Sequence, residues 1–174
     1  MHQLMYKTEV YRNLIFNISE KAPLNAILKY LNLVNSGIPA EKQENIIYST
    51  MELVNNSLRA QRETGSHEKP VKLRFSAEDD YLLIVVKDCG GGFETSLLPY
   101  DMNTPARDVD LESTAFQRYR ERYSYNRFGM GLLTARQMAD LFTLEFHRKG
   151  KVMNGYQKGR TEGTIVTMGI KWYA

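Results

Sequence analysis

Cysteine, histidine and long apolar runs are scarce in this sequence, and each scarcity excludes a class of structure. The 174 residues contain one cysteine, Cys89, and three histidines. One cysteine excludes an internal disulfide framework and a metal site built from several cysteines, and three scattered histidines make a histidine-based metal site unexpected. No apolar run is long enough to span a bilayer, and the N-terminal residues MHQLMYKTEVYRN lack the apolar segment of a signal peptide. We therefore expect a reduced, cytoplasmic protein without membrane contact.

The charge, composition and length of the chain indicate an ordinary globular protein. A formal net charge of +3 is too small to indicate a nucleic-acid partner by itself. Apolar residues make up 43% of the chain and charged residues 25%, as in ordinary soluble globular proteins. Because 174 residues are enough to bury one core and no internal repeat is present, we expect residues 1–174 to form a single domain.

The first half of the sequence predicts a strand, two helices and two further strands. Residues 9–19, EVYRNLIFNIS, are rich in β-branched and aromatic residues, which is typical of a strand. Residues 21–37 predict a helix, with Pro23 in its first turn and Gly37 at its end. The other predicted elements of this half are a longer helix over residues 38–63 and two strands within residues 69–88, separated by a turn at 78–80.

The second half begins with a stretch that has no clear periodicity, from residue 93 to about residue 128. A structureless stretch of that length in a compact domain is usually a lid, a binding loop or disorder, and we expect a lid. Residues 131–142 then predict a helix, and residues 141–149 and 164–173 predict strands. This order of elements predicts an α+β fold, a two-layer sandwich of one mostly antiparallel sheet with helices on one face.

Three polar residues of the longer helix share one face. Glu52, Asn56 and Arg59 are spaced by four and three residues, so a helix brings their side chains together. A solvated polar face explains this pattern, since most amphipathic helices have one. The alternative is a ligand site, because carboxylate and amide oxygens suit Mg²⁺, directly or through its waters, and an adjacent arginine suits a phosphate.

The segment VVKDCGGGF places a carboxylate and three glycines directly after an apolar strand. Asp88 at the end of that strand is expected to be partly buried, and a buried carboxylate needs hydrogen-bond donors. The exocyclic amine of a purine is one such donor, and Gly90 and Gly92 would allow a flat ring to approach the backbone. A plain turn is the alternative, because Asp-x-Gly is common in turns.

Two further glycine motifs follow. In NRFGMGLLTARQMAD, Gly129 and Gly131 lead into a helix, whose N-terminal N–H groups can bind an anion. The segment lacks the third glycine of a dinucleotide fingerprint and the Lys-Ser/Thr of a P-loop, so a phosphate site here would be of another kind. In EGTIVTMGI a Gly-Thr pair opens a strand. Each motif is also consistent with an ordinary helix or strand start.

The order of the four motifs is more specific than any one of them. Glu-x-x-x-Asn-x-x-Arg on a helix comes first, Asp-x-Gly-x-Gly after a strand follows, a long lid leads to Gly-x-Gly-Leu at a helix start, and Gly-Thr closes the set. This arrangement resembles the nucleotide-binding fold shared by DNA gyrase, the heat-shock chaperone ATPases, sensor histidine kinases and bacterial anti-sigma serine kinases. Their motifs are called the N, G1, G2 and G3 boxes, and the resemblance covers about residues 46–168.

The resemblance implies ATP and Mg²⁺ as ligands and a role for each motif residue. It implies that Asn56 binds Mg²⁺ and that Glu52 polarises a water or the attacking group. Arg59 would touch phosphate, at a position where many members carry lysine. Asp88 would accept a hydrogen bond from the adenine amine. The remaining implied positions are Gly90 and Gly92 around the base, Gly129 and Gly131 around the triphosphate, and Thr164 near the adenine.

The lid contains a group of arginines within QRYRERYSYNRF. One or more of them would close over the γ-phosphate, and we favour Arg127 because it lies two residues before the glycine turn. A solvated basic helix, partly neutralised by Glu121, is the alternative. The other arginines of the group are Arg118, Arg120 and Arg122.

The front of the chain resembles the stand-alone anti-sigma serine kinases in its layout of a strand, a helix and then the N-box helix. This implies a regulatory kinase that transfers the γ-phosphoryl group of ATP to a protein serine or threonine. The implied partners are a sigma factor, an anti-anti-sigma-like substrate or a phosphorelay protein, with no nucleic acid and no membrane. A homodimer is compatible with this resemblance.

Two alternatives stay open. The long lid and the segment GMGLLTARQMAD are similar to those of a sensor histidine kinase. The phosphoacceptor histidine would then lie in another chain or domain, because the histidines of this chain are not predicted in a helix: His2 is in a tail, His67 in a loop and His147 in a strand. The other alternative is a non-catalytic module that binds ATP to set a partner-binding surface. Intact Glu52 and Asn56 argue against that reading.

Overall fold

The computed structural model describes residues 2–124, 127 and 129–172. The strands are β1 Leu4–Tyr6, β2 Glu9–Tyr11, β3 Asn13–Ile18, β4 Val34–Asn35, β5 Val71–Ala77, β6 Tyr81–Lys87, β7 Leu141–Arg148, β8 Lys151–Met153 and β9 Gly163–Lys171. The α-helices are α1 Leu24–Asn32, α2 Ala40–Glu63, α3 Thr114–Arg122 and α4 Gly131–Met138, and single 3₁₀ turns cover Thr95–Leu97 and Ala106–Asp108. In these ranges no helix has the length and apolar character needed to cross a membrane.

A six-stranded sheet carries the fold, in the order β3-β5-β6-β9-β7-β8 with every neighbouring pair antiparallel. α2 packs against β5 and β6, and α4 packs against β7 and β9. In β6, Leu82, Ile84 and Val86 are buried, and the residues between them are partly exposed on the opposite face. This alternation is what a sheet covered by helices on one face requires. The predicted α+β sandwich is confirmed.

The apolar face of α2 fixes the direction of its polar face. Ile46, Val54 and Leu58 are buried in the core between the helix and the sheet. Thr50 is also buried, and its hydroxyl donates to the Ile46 carbonyl at 2.7 Å. With this side of the helix facing the sheet, the side of Glu52 turns toward α4, which packs along α2.

The N-terminal region differs from its prediction, because a second sheet of order β2-β1-β4 forms there. The strand predicted over residues 9–19 divides at Arg12, so β2 joins this small sheet and β3 joins the large one. The first helix ends at Asn32 instead of at Gly37, because the buried Val34 pairs with Tyr6 of β1. The periodicity of a local segment cannot predict this pairing with a distant strand.

The lid contains more structure than predicted. Besides α3 and the 3₁₀ turns, it packs against α4, where Arg136 Nη2 donates to the carbonyls of Met102 at 2.9 Å and Thr104 at 2.8 Å. Phe116 of α3 is fully buried, and its ring stacks on Tyr100 with centroids 5.9 Å apart. The predicted ends of the lid at residue 128 and of the last strand at residue 173 lie outside the described residues.

The elements after the lid match their predictions with shifted ends. α4 begins at Gly131 as predicted but ends at Met138. Leu141 and Phe142 belong to β7, because they pair with Gly169 and Met168 of β9. The short strand β8, which pairs with the end of β7, had no sequence signal.

Candidate functional site

Asp88 lies directly after β6 and is only 4% exposed. Its Oδ1 accepts hydrogen bonds from the backbone N–H groups of Gly90 at 2.8 Å and Thr164 at 3.3 Å. Its Oδ2 accepts from the Ser57 hydroxyl at 3.1 Å and from the Thr164 hydroxyl. These donors fill the roughly four lone-pair positions of a carboxylate, so a further donor must replace one of them. The two hydroxyl groups can rotate and are therefore the donors that can yield.

The backbone of Asp88 is held as firmly as its side chain. Its N–H donates to the Thr164 carbonyl at 3.1 Å, and its carbonyl accepts from His147 Nε2 at 2.7 Å. His147 is 1% exposed, so this bond is out of reach of solvent. A side chain at position 163 would overlap the Asp88 carbonyl, which explains Gly163. The carboxylate is therefore positioned by three adjacent strands, β6, β9 and β7.

Two of the glycines after Asp88 are required by the space around them. Gly90 lies against Ala60 of α2, where a Cβ would overlap the helix. Gly92 has a φ of +69°, and a Cβ there would lie 2.8 Å from Thr161 Cγ2. The loop after β6 therefore follows α2 closely, and both glycines line the cavity beside the helix.

The start of α4 meets the polar face of α2. A Cβ at Gly131 would lie 2.9 Å from Asn56 Nδ2 and 2.9 Å from Glu52 Oε2. Only a glycine lets the helix start come this close to both side chains. Gly129 has a φ of +74°, and a Cβ there would lie 2.7 Å from Pro99 Cγ of the lid. The Gly-x-Gly segment thus touches α2 on one side and the lid on the other.

Arg59 and Asn56 are directly bonded. The Arg59 Nη2 donates to Asn56 Oδ1 at 2.6 Å. Burial lowers the pKa of the Arg59 guanidinium, and the nearby charge of Arg127 lowers it further. An arginine nevertheless remains charged at neutral pH. The amide oxygen of Asn56 therefore already has a cationic partner, which a metal ion at this position would have to replace.

Arg127 of the lid reaches α2 as well. Its guanidinium forms an ion pair with the Glu63 carboxylate. The guanidinium also lies over the Tyr123 ring, with Cζ 4.3 Å from the ring centroid. Burial raises the pKa of the neighbouring Tyr119, and Tyr123 raises it further, so this phenol stays neutral at physiological pH. This group of side chains is thus aromatic and carries paired charges.

One cavity of about 740 Å³ joins these groups. Its volume is in the range of a site for a drug-sized or cofactor-sized ligand. Every residue that the sequence predicted for the site lines it: Glu52, Asn56, Arg59, Asp88, Gly90, Gly92, Arg127, Gly129, Gly131 and Thr164. Of the lid arginines, Arg127 lines the cavity, whereas Arg118, Arg120 and Arg122 are not part of its wall. Arg120 instead contacts the lid itself, where its Cζ lies 5.6 Å from the Phe116 ring centroid.

Ser57, Glu63, Tyr119 and Tyr123 are among the lining residues that the sequence did not predict for the site. Ser57 follows Asn56 directly, but a hydroxyl on a helix is too common to indicate a site. Glu63 lies four residues after Arg59 on the same helix, and that spacing was a signal that could have identified it. Tyr119 in α3 and Tyr123 directly after this helix have the same spacing.

The protein side chains in the cavity fit a divalent cation only if a bound phosphate supplies further oxygen ligands. Within the described ranges, no three histidine, cysteine, aspartate or glutamate side chains lie close enough together to hold a metal. Glu52 presents a carboxylate oxygen at the start of α4, whereas Asn56 presents its amide nitrogen there and its amide oxygen to Arg59. Both side chains carry an oxygen, which is the ligand type that Mg²⁺ prefers. Mg²⁺ usually keeps several waters and binds through one or two protein groups plus substrate phosphates. The residues therefore fit Mg²⁺ bound together with a polyphosphate.

Comparisons with known proteins agree with this geometry. No curated protein matches the chain. The structure is similar to a chain in the crystal structure of the SiaB-SiaC complex from Pseudomonas aeruginosa, with a TM-score of 0.54 and 16% identity over 91% of each chain, which shows a shared fold. The family model of the histidine kinase-, DNA gyrase B- and HSP90-like ATPases matches residues 41–173, and this range contains every residue that lines the cavity. The chain therefore belongs to this ATPase family, as the four motifs predicted.

Proposed function

We propose that this chain is an ATP- and Mg²⁺-binding kinase that transfers the γ-phosphoryl group to a serine or threonine of a protein partner, in a regulatory switch. Membership of an ATPase family supports the nucleotide. The observation that carries the proposal is the contact of Glu52 and Asn56 with the start of α4, in a cavity that Asp88 also lines. We further propose that residues 1–174 act as one domain, with residues 93–128 as the lid.

Asp88 and its neighbours would select the base. An adenine amine donates to a carboxylate, whereas the guanine oxygen at the same position accepts and would be repelled. Because the Asp88 carboxylate already has its full set of donors, the Ser57 hydroxyl would rotate away to admit the amine. Thr164 would keep the carboxylate oriented through its backbone N–H and its hydroxyl.

The start of α4 would hold the phosphates. No side chain caps this helix, so its first N–H groups are open to an anion. Arg59 and Arg127 would add two positive charges along the same wall of the cavity. Phosphoryl transfer needs little more than this kind of positioning and charge neutralisation.

Asn56 would hold Mg²⁺ through its amide oxygen once Arg59 releases it. The bound ion neutralises phosphate charge and orients the leaving group. Glu52 would accept the proton of the attacking hydroxyl as general base. In that step the hydroxyl oxygen forms a bond to the γ-phosphorus, the bond to the β-phosphate oxygen breaks, and ADP leaves with the electron pair.

The positions of the histidines argue against self-phosphorylation on a histidine of the described residues, so the acceptor would lie elsewhere. In the described part of the chain, none of them lies in a helix, and His147 is buried in β7 with its Nε2 bonded to Asp88. A phosphoacceptor histidine of the usual exposed, helical kind is therefore not found there. The similar solved structure is a complex of two proteins, which supports the search for a protein partner here too.

The first test is titration calorimetry with a non-hydrolysable ATP analogue, with and without Mg²⁺. We expect binding to the parent protein that Mg²⁺ strengthens, and the loss of that strengthening in Asn56→Ala. Asn45→Ala is the matched control, because Asn45 is exposed on the same helix, outside the cavity. If the parent protein binds no nucleotide in either condition, the proposed function is wrong.

The second test follows the phosphoryl group. The parent protein and Glu52→Gln are each incubated with γ-labelled ATP and an extract that contains the partner, and labelled proteins undergo phosphoamino-acid analysis. We expect label on serine or threonine with the parent protein and little with Glu52→Gln, whereas Glu44→Gln, an exposed change on the same helix, should match the parent. Label on histidine would favour the sensor-kinase alternative, and ATP binding without any label would favour the non-catalytic module.

A further inference from the structure

Glu63 is a carboxylate in the wall of a cavity that we assign to a polyphosphate. It is the last residue of α2 and lines the cavity beside Arg59 and Arg127. An unpaired carboxylate in this position would repel phosphate, so its pairing with a cation decides its effect on the nucleotide. The proposed function gives this residue no role, and the inference below rests on that function.

The contacts of Glu63 involve both arginines of the cavity wall. Its carboxylate pairs with the Arg127 guanidinium, which also lies on the Tyr123 ring. Burial lowers the pKa of Arg127, but the hydrogen bond and charge of Glu63 outweigh this effect and leave the pKa raised. Arg127 and Arg59 are close enough to affect each other, and the negative charge of Glu63 opposes their repulsion. Glu63 therefore partly offsets the repulsion between two arginines that line one cavity.

A phosphate group and a carboxylate are interchangeable partners for an arginine. Both accept charge-assisted, often bidentate, hydrogen bonds from the planar guanidinium. The side chains of Arg127 and Glu63 are 24% and 49% exposed, so their pair can open without unpacking the core. Because Glu63 belongs to α2 and Arg127 to the lid, the pair also joins the lid to the helix.

We propose that Glu63 stands in for the γ-phosphate: Arg127 pairs with Glu63 when the cavity is empty or holds a diphosphate, and with the γ-phosphate when it holds a triphosphate. Glu63 then competes with the terminal phosphate for one arginine. It lowers the affinity for ATP, leaves the affinity for ADP nearly unchanged, and couples the lid to the presence of the γ-phosphate.

The test is a double-mutant cycle read by calorimetric titration with a non-hydrolysable ATP analogue and with ADP, at fixed Mg²⁺. The four proteins are the parent, Glu63→Gln, Arg127→Ala and the double variant. We expect Glu63→Gln to bind the ATP analogue roughly threefold to fivefold more tightly, and ADP within about twofold of the parent, as for the loss of one partly exposed competing ion pair. In the Arg127→Ala background the same change should have no such effect. Glu121→Gln, an exposed change in α3, should match the parent and controls for the lost charge.

Each other outcome overturns the inference in a distinguishable way. An unchanged or weaker affinity of Glu63→Gln for the ATP analogue removes the competition. An equal gain for ADP, or a gain that persists without Arg127, means general repulsion of phosphate by Glu63. If Glu63→Gln does not fold, Glu63→Asp replaces it, since the shorter side chain weakens the pair and should give a smaller gain of the same pattern. If the parent protein binds neither nucleotide, the proposed function fails and this inference fails with it.

Discussion

Replacing Asp88 by asparagine tests the base-recognition end of the cavity with the smallest change of shape. The asparagine oxygen can still accept from the backbone N–H groups of Gly90 and Thr164, which now meet Oδ1. Its NH₂ group would take the place of Oδ2, and the hydroxyls of Ser57 and Thr164 can rotate to accept from it. We therefore expect a stability loss of only about 1 kcal/mol, which is the net value of one intramolecular hydrogen bond.

The effect on nucleotide binding should be much larger than the effect on stability. The asparagine NH₂ is a donor and would face the donor amine of adenine, so a charge-assisted hydrogen bond is lost and two donors oppose each other. Hydrogen bonds to charged groups contribute about 1.5–3 kcal/mol, which corresponds to a loss of affinity of roughly tenfold to 150-fold. Because the carboxylate is 4% exposed, water offers little compensation.

The assay is calorimetric titration with a non-hydrolysable ATP analogue, together with a thermal melt of the free protein. Asp79→Asn is the matched control, because Asp79 lies exposed in the turn at the opposite end of β6. A variant that melts within a few degrees of the parent and binds within twofold of it would refute the adenine role of Asp88. A large fall in melting temperature would instead refute the assignment of its main role to ligand binding.

Three further predictions concern Gly131, Phe116 and Cys89. Gly131→Ala should weaken binding of the ATP analogue in calorimetry, because its Cβ would lie 2.9 Å from the side-chain atoms of both Asn56 and Glu52; an unaffected affinity would show that the start of α4 is not a phosphate site. Phe116→Ala should cost about 3–5 kcal/mol of lid packing, since the ring is fully buried, so limited proteolysis should cut within the lid while the sheet stays intact; parent-like resistance would contradict a packed lid. Burial raises the pKa of the Cys89 thiol, so the thiolate fraction at pH 8 should be below that of a free cysteine; alkylation rates measured from pH 7 to 10 should rise later than those of a free thiol, and a curve that overlaps the free thiol would contradict the burial.

Much of the fold was predictable because its signals are local. The apolar periodicity of residues 38–63 predicted α2 within two residues of its observed start at Ala40 and at its observed end, Glu63. The alternation in residues 69–88 predicted β5 and β6. α1 was predicted too long, because the pairing of Val34 with Tyr6 depends on residues far away in the sequence. In α3, for which the sequence offered a solvated basic helix only as an alternative, Phe116 is the buried residue, so the apolar signal of this helix is weak.

The candidate site also has some features that the sequence predicts and others that depend on tertiary packing. The spacing of the glycines and the helical repeat of Glu52 and Asn56 are properties of the sequence. They were enough to indicate a nucleotide ligand and the protein family. The hydrogen bond of Ser57 to Asp88 spans 31 residues, and the ion pair of Glu63 with Arg127 spans 64. Such contacts depend on how the helices and the lid pack against one another, because a side chain of common type gains a specific partner only through packing. The sequence alone therefore determined the ATPase family and several of the residues that line the cavity, and the tertiary structure decided which side chains contact Asp88, Asn56 and Arg127.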